Sequence, residues 1–379
     1  MSLKYSILLP TKNGGKYLDH CINAVLNQNY KNIELVISDN ANNDETSDII
    51  RKYQDDARLI SVRLKHQVSV TENWNNALNL ASGDYILMLG DDDLLFPESI
   101  SKLDKIINQQ NRPECVTYNA FGYIAPNSIM DNQDSYYSDI FFKYADEFTS
   151  PRILSRKERV QIVKKMYMFK VDIPLNMQTT IISSNVIEKI KEGIFKAPFP
   201  DQYALNALLL NADNWFFTPE KILIIGISPK SFGHYVYSNK QNKGREYLAL
   251  PPNDNPMLPG NELLNNMCIW LKKIKDNYPQ YLNETNIDKE AYIVRQIYWW
   301  VKELRMRSIE KEIFVKRLKM IKIIEYFKLT KFLFYYETWD KIRFFLFSKN
   351  EKNINSNIRN MIKIKGVNNI HEFSIWIKN

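Results

Sequence analysis

Three consecutive aspartates, Asp91, Asp92 and Asp93, directly follow an apolar stretch in the segment YILMLGDDDLLFP. Carboxylates placed this close together raise one another's pKa, because each negative charge disfavours ionisation of its neighbours. A divalent cation removes that cost. Oxygen ligands favour Mg²⁺ or Mn²⁺, which commonly complete their shell with substrate phosphate oxygens. Helix N-terminal capping explains Asp93 at most. The run therefore predicts a metal site that faces a phosphorylated ligand, and Gly90 before it allows close approach of the backbone.

Two other polar loops also follow apolar stretches of β-strand character. Residues 10–15 follow the stretch 5–9, and residues 39–44 follow the stretch 33–38. In an open parallel sheet, ligands bind at the carboxyl ends of the strands. We therefore expect these two loops and the acidic run to open on one edge of a sheet.

The elements that must position these loops are predicted by hydrophobic periodicity. The first 120 residues alternate β-branched runs with segments of helical period, which predicts an α/β domain with a mostly parallel sheet flanked by helices. One face of a helix between the first two strands carries Leu18, Cys21, Ile22, Val25 and Leu26. Further strands are predicted over residues 59–63, 85–89 and 115–118, and further helices over residues 71–81 and 97–109.

Over residues 4–235 the chain resembles a family 2 glycosyltransferase of the GT-A nucleotide-sugar-binding fold, of the bacterial surface-polysaccharide type. The resemblance rests on YSILLPTKNGGKYLDHCINAVLNQNYKNIELVISDNANNDET, on a helix bearing Asn75 that leads into ASGDYILMLGDDDLLFP, and on a later acidic position. It implies an enzyme that moves a sugar from a nucleotide donor, with a UDP-sugar as the expected donor.

The resemblance also implies which residues bind the nucleotide-sugar. The family binds the base and ribose with the loops after strands one and two, which correspond here to Pro10, Thr11 and Asp39. Asp44 matches a second loop acid that organises the same turn, and the Asn75 helix contributes nearby. Aspartates in such loops also bond their own backbone, so a turn-forming role is the alternative for Asp39 and Asp44.

The metal motif departs from the family pattern of Asp-X-Asp. Alignment on residues 94–97 puts Gly90 at the usual first aspartate and Asp92 at the metal-ligating second one. Asp92 is thus the expected metal ligand. Asp91 either replaces the missing first carboxylate at the nucleotide-sugar or pairs with Asp93 at the metal.

Sugar transfer with inversion also needs a general base on the acceptor hydroxyl. The family takes this base from a Glu-Asp pair at a helix start well after the metal motif. Here the aspartate is Asp201 in APFPDQYALNALLL, and Pro200 stands in place of the glutamate. The alternative is that Asp201 caps the helix that follows it.

A histidine, His234 in ISPKSFGHYVYS, lies where many relatives carry a histidine or an aromatic residue near the diphosphate. Neutral imidazole would ligate Mn²⁺ and imidazolium would contact phosphate oxygens, whereas a structural role is the alternative. Lys230 nearby is expected to be a solvated charge.

Charge divides the chain into two parts. Residues 262–379 hold 23 Lys and Arg against 13 Asp and Glu, which leaves 28 against 30 for residues 1–261. We expect a catalytic domain over residues 1–240, a proline-rich linker over 241–260, and a helical, basic and aromatic region over 261–379.

Aromatic residues are interleaved with Lys and Arg over residues 326–347. This pattern is typical of helices that lie on an anionic membrane surface, and the alternative is a helical bundle or a homo-oligomer interface. No nucleic-acid-binding module, secretory signal or membrane-spanning stretch is recognisable, and the three cysteines are too dispersed for zinc or disulfides. We therefore expect a cytoplasmic protein without nucleic-acid partners, peripheral on the inner face of the cell membrane where the tail binds lipid.

Together these features predict an inverting, non-processive, metal-dependent glycosyltransferase. Its expected acceptor is a saccharide linked to polyprenyl diphosphate, in polysaccharide biosynthesis of the O-antigen, capsule or teichoic type. Residues 295–300 do not match the Gln-x-x-Arg-Trp signature of long-polymer synthases, which favours single additions. One alternative is a nucleotidyltransferase, although residues 10–16 lack the arginine of its triphosphate loop. Another is an inactive sugar-nucleotide-binding protein, which the departures at Gly90 and Pro200 would suit.

Overall fold

The computed structural model describes residues 2–129, 131–174, 176–229, 231, 244, 246, 257–305, 307–329 and 361–378. Contacts divide the chain into two units. The first comprises Met1–Val163, Val171–Pro251 and Asn360–Asn379, and the second comprises Lys164–Lys170 and Pro252–Arg359. The C-terminal residues thus belong to the first unit, whereas the sequence-based boundaries assigned them to the helical region. Most of the expected linker over 241–260 lies outside the described residues.

A mixed β-sheet lies at the centre of the first unit. Its strands are β1 (Tyr5–Thr11), β2 (Ile33–Asp39), β3 (Leu59–Arg63), β4 (Tyr85–Met88), β5 (Leu94–Leu95), β6 (Cys115–Ile124), β7 (Ser135–Ser138), β8 (Arg152–Ile153), β9 (Thr180–Ser183), β10 (Trp215–Ile227) and β11 (Ile362–Ile364). The order is β11-β7-β6-β9-β4-β1-β2-β3, and β10 pairs with β5, β6 and β8. The pairs β4-β1, β1-β2, β2-β3 and β6-β10 are parallel, and β9 is antiparallel to β4 and β6.

Helices connect these strands and form most of the second unit. Up to residue 211 they are α1 (Gly15–Leu26), α2 (Thr46–Arg51), α3 (Val70–Asn79), α4 (Ser99–Gln109), α5 (Arg156–Met166), α6 (Ser184–Ile187) and α7 (Pro200–Asn211). Those that follow are α8 (Glu262–Asn277), α9 (Pro279–Leu282), α10 (Lys289–Arg305), α11 (Lys311–Leu318), α12 (Ile323–Leu329) and α13 (Ile370–Trp376).

Local sequence accounts for the first βα units. Strand β2 is buried along its whole length, as expected for a parallel strand covered on both faces. The five residues predicted on one face of α1 are all buried. Helix α3 begins with a capping box, in which Ser69 Oγ accepts from the backbone N–H of Glu72 and the Glu72 carboxylate accepts from that of Ser69. The predicted α/β fold class is confirmed, with antiparallel strands added to the parallel ones.

The C-terminal segment, residues 361–378, is part of the first unit. Its strand β11 pairs antiparallel with β7. Phe373 of α13 is fully buried and stacks on Tyr123 of β6 with ring centroids 4.9 Å apart. The Tyr123 hydroxyl donates a hydrogen bond to the Val367 carbonyl, 3.3 Å away. The segment therefore completes a second apolar cluster together with Leu94 and Ile224.

The second unit has a helical core with a buried polar network. The Tyr292 hydroxyl donates to Asn265 Oδ1 over 2.5 Å, and the Gln296 side-chain amide donates to the same oxygen over 3.0 Å. The Trp300 indole N–H donates to the Pro259 carbonyl over 2.6 Å. In the part of the chain that the structure describes, no helix combines the length and apolarity needed to cross a bilayer. Of the aromatic stretch 326–347, residues 330–347 lie outside the described residues.

Candidate active site

The three polar loops meet at the carboxyl edge of the sheet, as expected. Thr11 at the end of β1 pairs in register with Asp39 at the end of β2. The Thr11 hydroxyl donates a 2.7 Å hydrogen bond to Asp91 Oδ2 in the loop after β4. A Cβ on Gly14 would lie 2.7 Å from Thr11 Oγ1 and 2.8 Å from Asp91 Oδ2. Gly14 therefore lets the first loop approach the acidic run.

Strand β10 holds the acidic run from the other side. The backbone N–H of Ser228 donates to Asp92 Oδ2, and that of Gly226 donates to Asp93 Oδ1, both over 3.0 Å. The backbone N–H of Gly90 donates to Asp93 Oδ2 over 2.7 Å. Asp93, predicted as a metal ligand, thus accepts a backbone hydrogen bond on each oxygen. This arrangement favours an anchoring role for Asp93 and leaves Asp91 and Asp92 as the stronger metal-ligand candidates.

Gly226 and Ser228 were missed by the sequence analysis. A Cβ on Gly226 would lie 1.9 Å from the Asp92 carbonyl oxygen, so only glycine allows β10 to approach the run this closely. The available signal was a single glycine inside the otherwise apolar stretch KILIIGI, which is typical of close backbone approach in a strand.

The acidic run carries negative charge in a buried setting. Burial raises the pKa of Asp91 to about 7, and the neighbouring charge of Asp92 adds to this rise. Burial also raises the pKa of Asp92 and Asp93. The cluster therefore needs either protons or an added cation for its stability.

A divalent cation fits this donor set when the substrate supplies further ligands. The described residues contain no group of three or more His, Cys, Asp or Glu side chains arranged to hold a metal ion. Asp91 and Asp92 would therefore supply two carboxylates, and substrate phosphate and water would complete the shell, as is usual for Mg²⁺. His234, the remaining predicted ligand, and Lys230 lie outside the described residues.

The loop after β2 is organised around Asp39. This side chain is almost fully buried and accepts hydrogen bonds from the Asn42 backbone N–H over 2.9 Å and from the Ser47 hydroxyl over 2.6 Å. Asp44 accepts from the Thr46 backbone N–H and from the Thr46 hydroxyl at the start of α2. Both aspartates therefore have the turn-forming role that was the alternative to nucleotide binding. A contact of Asp39 with the nucleotide stays a prediction.

Helix α3 joins this loop to the segment that precedes α7. The Ser38 hydroxyl donates to Asn73 Oδ1 over 2.6 Å, and the Asn76 side-chain amide donates to Ser38 Oγ over 2.7 Å. On another face of α3, the Asn75 side-chain amide donates to the Phe195 carbonyl over 3.2 Å. The Trp74 ring makes an edge contact with the Phe195 ring, with centroids 5.2 Å apart. Asn75, predicted to bind the nucleotide-sugar, thus also holds the chain that leads to Asp201.

Asp201 lies in the first turn of α7 and is not its N-cap residue. The N-cap residue is Phe199, which makes no side-chain cap hydrogen bond, and Pro200 occupies the first helical position, where proline is favoured. Asp201 is therefore not the N-cap residue, but its carboxylate accepts backbone hydrogen bonds from Gln202 and from its own N–H in the first turn. Burial raises the pKa of Asp201 to about 6, and a hydrogen bond from Gln202 opposes this rise. A carboxylate of this pKa is mostly ionised at pH 7 and accepts a proton more readily than an ordinary aspartate, which suits a general base.

A partly parallel α/β sheet with polar loops and an acidic run at its carboxyl edge defines a ligand-binding domain of the GT-A type. Residues 6–165 match the model of the family described as glycosyl transferase family 2. This part of the chain is therefore similar to family 2 glycosyl transferases.

Known proteins share this similarity over limited lengths. The GalNAc(5)-diNAcBac-PP-undecaprenol beta-1,3-glucosyltransferase of Campylobacter jejuni is 32% identical over 108 residues, which are 28% of this chain and 35% of that protein. The poly(ribitol-phosphate) beta-N-acetylglucosaminyltransferase TarP of Staphylococcus aureus is 24% identical over 257 residues, 65% of this chain and 69% of TarP. The crystal structure of S. aureus TarS 1-349 with UDP-GlcNAc has a TM-score of 0.49 at 14% identity, covering 80% of this chain and 82% of that one. The chain thus spans about a third of the length of the first of these relatives.

Proposed function

We propose that the protein is an inverting glycosyltransferase that moves a sugar from a UDP-sugar to a hydroxyl of a saccharide acceptor. The observation that carries the proposal is the acidic run at the carboxyl edge of the sheet. Asp92 and Asp93 are buried and accept backbone hydrogen bonds from the end of β10 and from Ser228 just after it, and Asp91 accepts one from the Thr11 hydroxyl. The match of residues 6–165 to the family model supports the same activity.

The loops after β1 and β2 would hold the nucleoside. Pro10, Thr11 and Asp39 lie at adjacent strand ends, and Thr11 links this part of the edge directly to Asp91. A base and ribose at these loops would place the diphosphate toward Asp91 and Asp92. When bound between these carboxylates and the diphosphate, Mg²⁺ or Mn²⁺ would offset the charge of the departing nucleoside diphosphate.

Asp201 would act as the general base. Its carboxylate takes the proton from the acceptor hydroxyl as that oxygen forms a bond to the anomeric carbon. The bond from the anomeric carbon to the diphosphate oxygen breaks on the opposite face, so the anomeric configuration inverts. The raised pKa of Asp201, about 6, favours this proton transfer while leaving most of the enzyme ionised at pH 7.

The acceptor is proposed from the chemistry in the names of the relatives. The Campylobacter relative is named for an undecaprenol-diphosphate-linked saccharide, and TarP for poly(ribitol-phosphate). We therefore propose single sugar additions to a lipid-linked saccharide of the bacterial surface, by a peripheral protein at the inner face of the membrane.

The test uses the full-length protein with a panel of UDP-sugars and Mn²⁺, with UDP release as the readout. We expect release that EDTA abolishes and that Asp201→Asn lowers by about 10²- to 10⁴-fold, the usual contribution of a general base. Donor affinity, measured by calorimetry, should be unchanged in Asp201→Asn. The matched control is Asp55→Asn at an exposed aspartate, which should behave as wild type.

Two results would count against this assignment in different ways. Normal turnover by Asp201→Asn would remove Asp201 from the reaction and leave the activity itself intact. Tight donor binding without release of nucleotide from any donor by the wild-type protein, even with saccharide acceptors present, would instead support the inactive sugar-nucleotide-binding alternative.

A further inference from the structure

Helices α11 and α12 of the second unit carry apolar side chains on two faces. The inward face, which includes Phe314 and Leu318, packs together with buried Ile321 in the cluster that contains Trp300. The outward face exposes Ile323 and Ile324 to 77% and 60% of their surface. The inward face accounts for the folding of these helices, so the outward isoleucines need a separate explanation.

The exposed residues lie within one short segment of the chain, residues 313–324. We call this area the basic apolar surface, and its members are Ile313, Lys316, Lys319, Met320, Lys322, Ile323 and Ile324, all exposed. Single exposed apolar residues are ordinary on soluble proteins, whereas several neighbouring large ones indicate an interaction site.

Positive charge surrounds these apolar side chains. Lys316 and Lys319 form no ion pair with any residue in the described ranges. The acidic residues of the two helices offset little of this charge: Glu325 forms a 2.5 Å ion pair with Lys289 outside the surface, and Glu312 is exposed in the first turn of α11. Lys322 lies close enough to Glu325 to help lower the pKa of that carboxyl, so Lys316 and Lys319 carry the positive charge that no described residue neutralises.

We propose that the basic apolar surface docks on an anionic lipid bilayer. Ile323 and Ile324 would enter the boundary between headgroups and acyl chains, and Lys316, Lys319 and Lys322 would contact lipid phosphates while their aliphatic stems lie along the interface. A protein partner of ordinary surface chemistry would leave these lysines without counter-charges, whereas an anionic leaflet supplies them over the whole area. This docking does not depend on the sugar-transfer reaction.

The sequence pattern predicted membrane contact over residues 326–347, of which 330–347 lie outside the described residues. Tyr326 and Phe327 at the start of that stretch are exposed. The basic apolar surface lies directly before it, beside a face of α11 that packs into the core of the second unit. The surface is thus part of a folded unit, and point substitutions of its exposed residues should leave that unit folded.

The test is flotation of the full-length protein with vesicles of phosphatidylglycerol and phosphatidylcholine, compared with vesicles of phosphatidylcholine alone. We expect binding to the anionic vesicles that weakens with added salt. The triple variant Lys316→Gln, Lys319→Gln, Lys322→Gln should lower the partition coefficient by about a hundredfold, roughly fivefold for each lysine. The double variant Ile323→Ser, Ile324→Ser should lower it by at least about tenfold.

Matched controls come from the first unit. Ile153→Ser changes an isoleucine of 61% exposure, and Lys31→Gln, Lys105→Gln, Lys157→Gln removes three exposed lysines. Both controls should float as wild type, and melting curves of all variants should coincide.

Failure of the wild-type protein to float, or equal flotation of all variants, would overturn the proposal. A concentration-dependent mass in light scattering that the double isoleucine variant abolishes, without vesicle binding, would also overturn it and indicate a second copy of the chain. UDP release measured in parallel without vesicles reports on the proposed reaction separately.

Discussion

Replacement of Gly226 by alanine tests the contact on which the acidic run depends. The added methyl group would start 1.9 Å from the Asp92 carbonyl oxygen and must retreat by at least about 1.1 Å to reach the shortest tolerated separation. A movement of this size lengthens the 3.0 Å hydrogen bond from the Gly226 N–H to Asp93 Oδ1 beyond bonding distance. The substitution therefore combines steric overpacking with an unsatisfied buried carboxylate.

The magnitude follows from these two effects. Overpacking costs about 1–3 kcal/mol, and loss of a hydrogen bond to a charged group costs about 1.5–3 kcal/mol. We expect Gly226→Ala to lower the free energy of unfolding by about 3–5 kcal/mol, and the melting temperature by about 10 °C for a unit of this size. Thermal unfolding followed by circular dichroism measures the shift. Calorimetric titration with a UDP-sugar should show weaker donor binding, because Asp91 and Asp92 lie in the displaced loop.

Gly193→Ala is the matched control. Gly193 has φ of +91°, and an added Cβ would meet no atom within 4 Å, so its substitution reports backbone strain alone. That strain costs about 1–2 kcal/mol and should leave donor binding unchanged. If Gly226→Ala has the same melting temperature as Gly193→Ala and binds the donor normally, β10 does not hold the acidic run in the way described.

Four further predictions concern Asp201, Asn75 and the C-terminal segment. The pKa of Asp201 is about 6 in the folded protein and 3.8 in an unfolded chain. Protonated Asp201 therefore stabilises the folded state at low pH, and this stabilisation is lost as the pH rises from 3.8 to about 6. Asp201→Asn should therefore raise the free energy of unfolding at pH 7 by up to about 3 kcal/mol and leave it unchanged below pH 4, as measured by urea denaturation. Wild-type kcat/KM should rise with pH to about 6 and then level off. Asn75→Ala, which loses the bond to the Phe195 carbonyl, should lower kcat with unchanged donor Kd; a raised donor Kd would instead support direct nucleotide-sugar contact. Phe373→Ala should cost about 3–5 kcal/mol in thermal unfolding, whereas Ile375→Ala at a half-exposed site should cost less than about 0.5 kcal/mol.

Much of the catalytic edge could be predicted from local sequence. Strand β1 is a short, nearly continuous apolar run and helix α1 has a hydrophobic period of 3.6 residues, and short segments already display both patterns. The loops after β1, β2 and β4 follow their strands directly, and parallel pairing brings such loops to one edge whatever the rest of the fold does. The family resemblance predicted that Asp201 lies near the start of a helix. In the structure Asp201 lies in the first turn of α7.

Element ends were predicted less well than element cores. Helix α4 begins at Ser99, two residues after the expected start at Pro97, and β6 extends to Ile124 beyond the expected Tyr118. The extension of β6 depends on its long parallel partner β10, which lies about a hundred residues further along the chain. Local propensity carries no information about that partner.

By itself the sequence determined the α/β class, the acidic run, the loop residues beside it and the similarity of residues 6–165 to family 2 glycosyl transferases, because each depends on a short contiguous pattern. Tertiary structure decided which carboxylates of the acidic run remain available to bind a metal ion. Gly226 and Asp93 are 133 residues apart, and only the pairing of β10 with β5 turns their backbone and side chain into an anchor. It also assigned residues 361–378 to the first unit, through a burial of Phe373 against Tyr123 that no local period encodes. Contacts across such separations arise from packing of the whole unit, and that is the physical reason why the sequence alone did not reveal them.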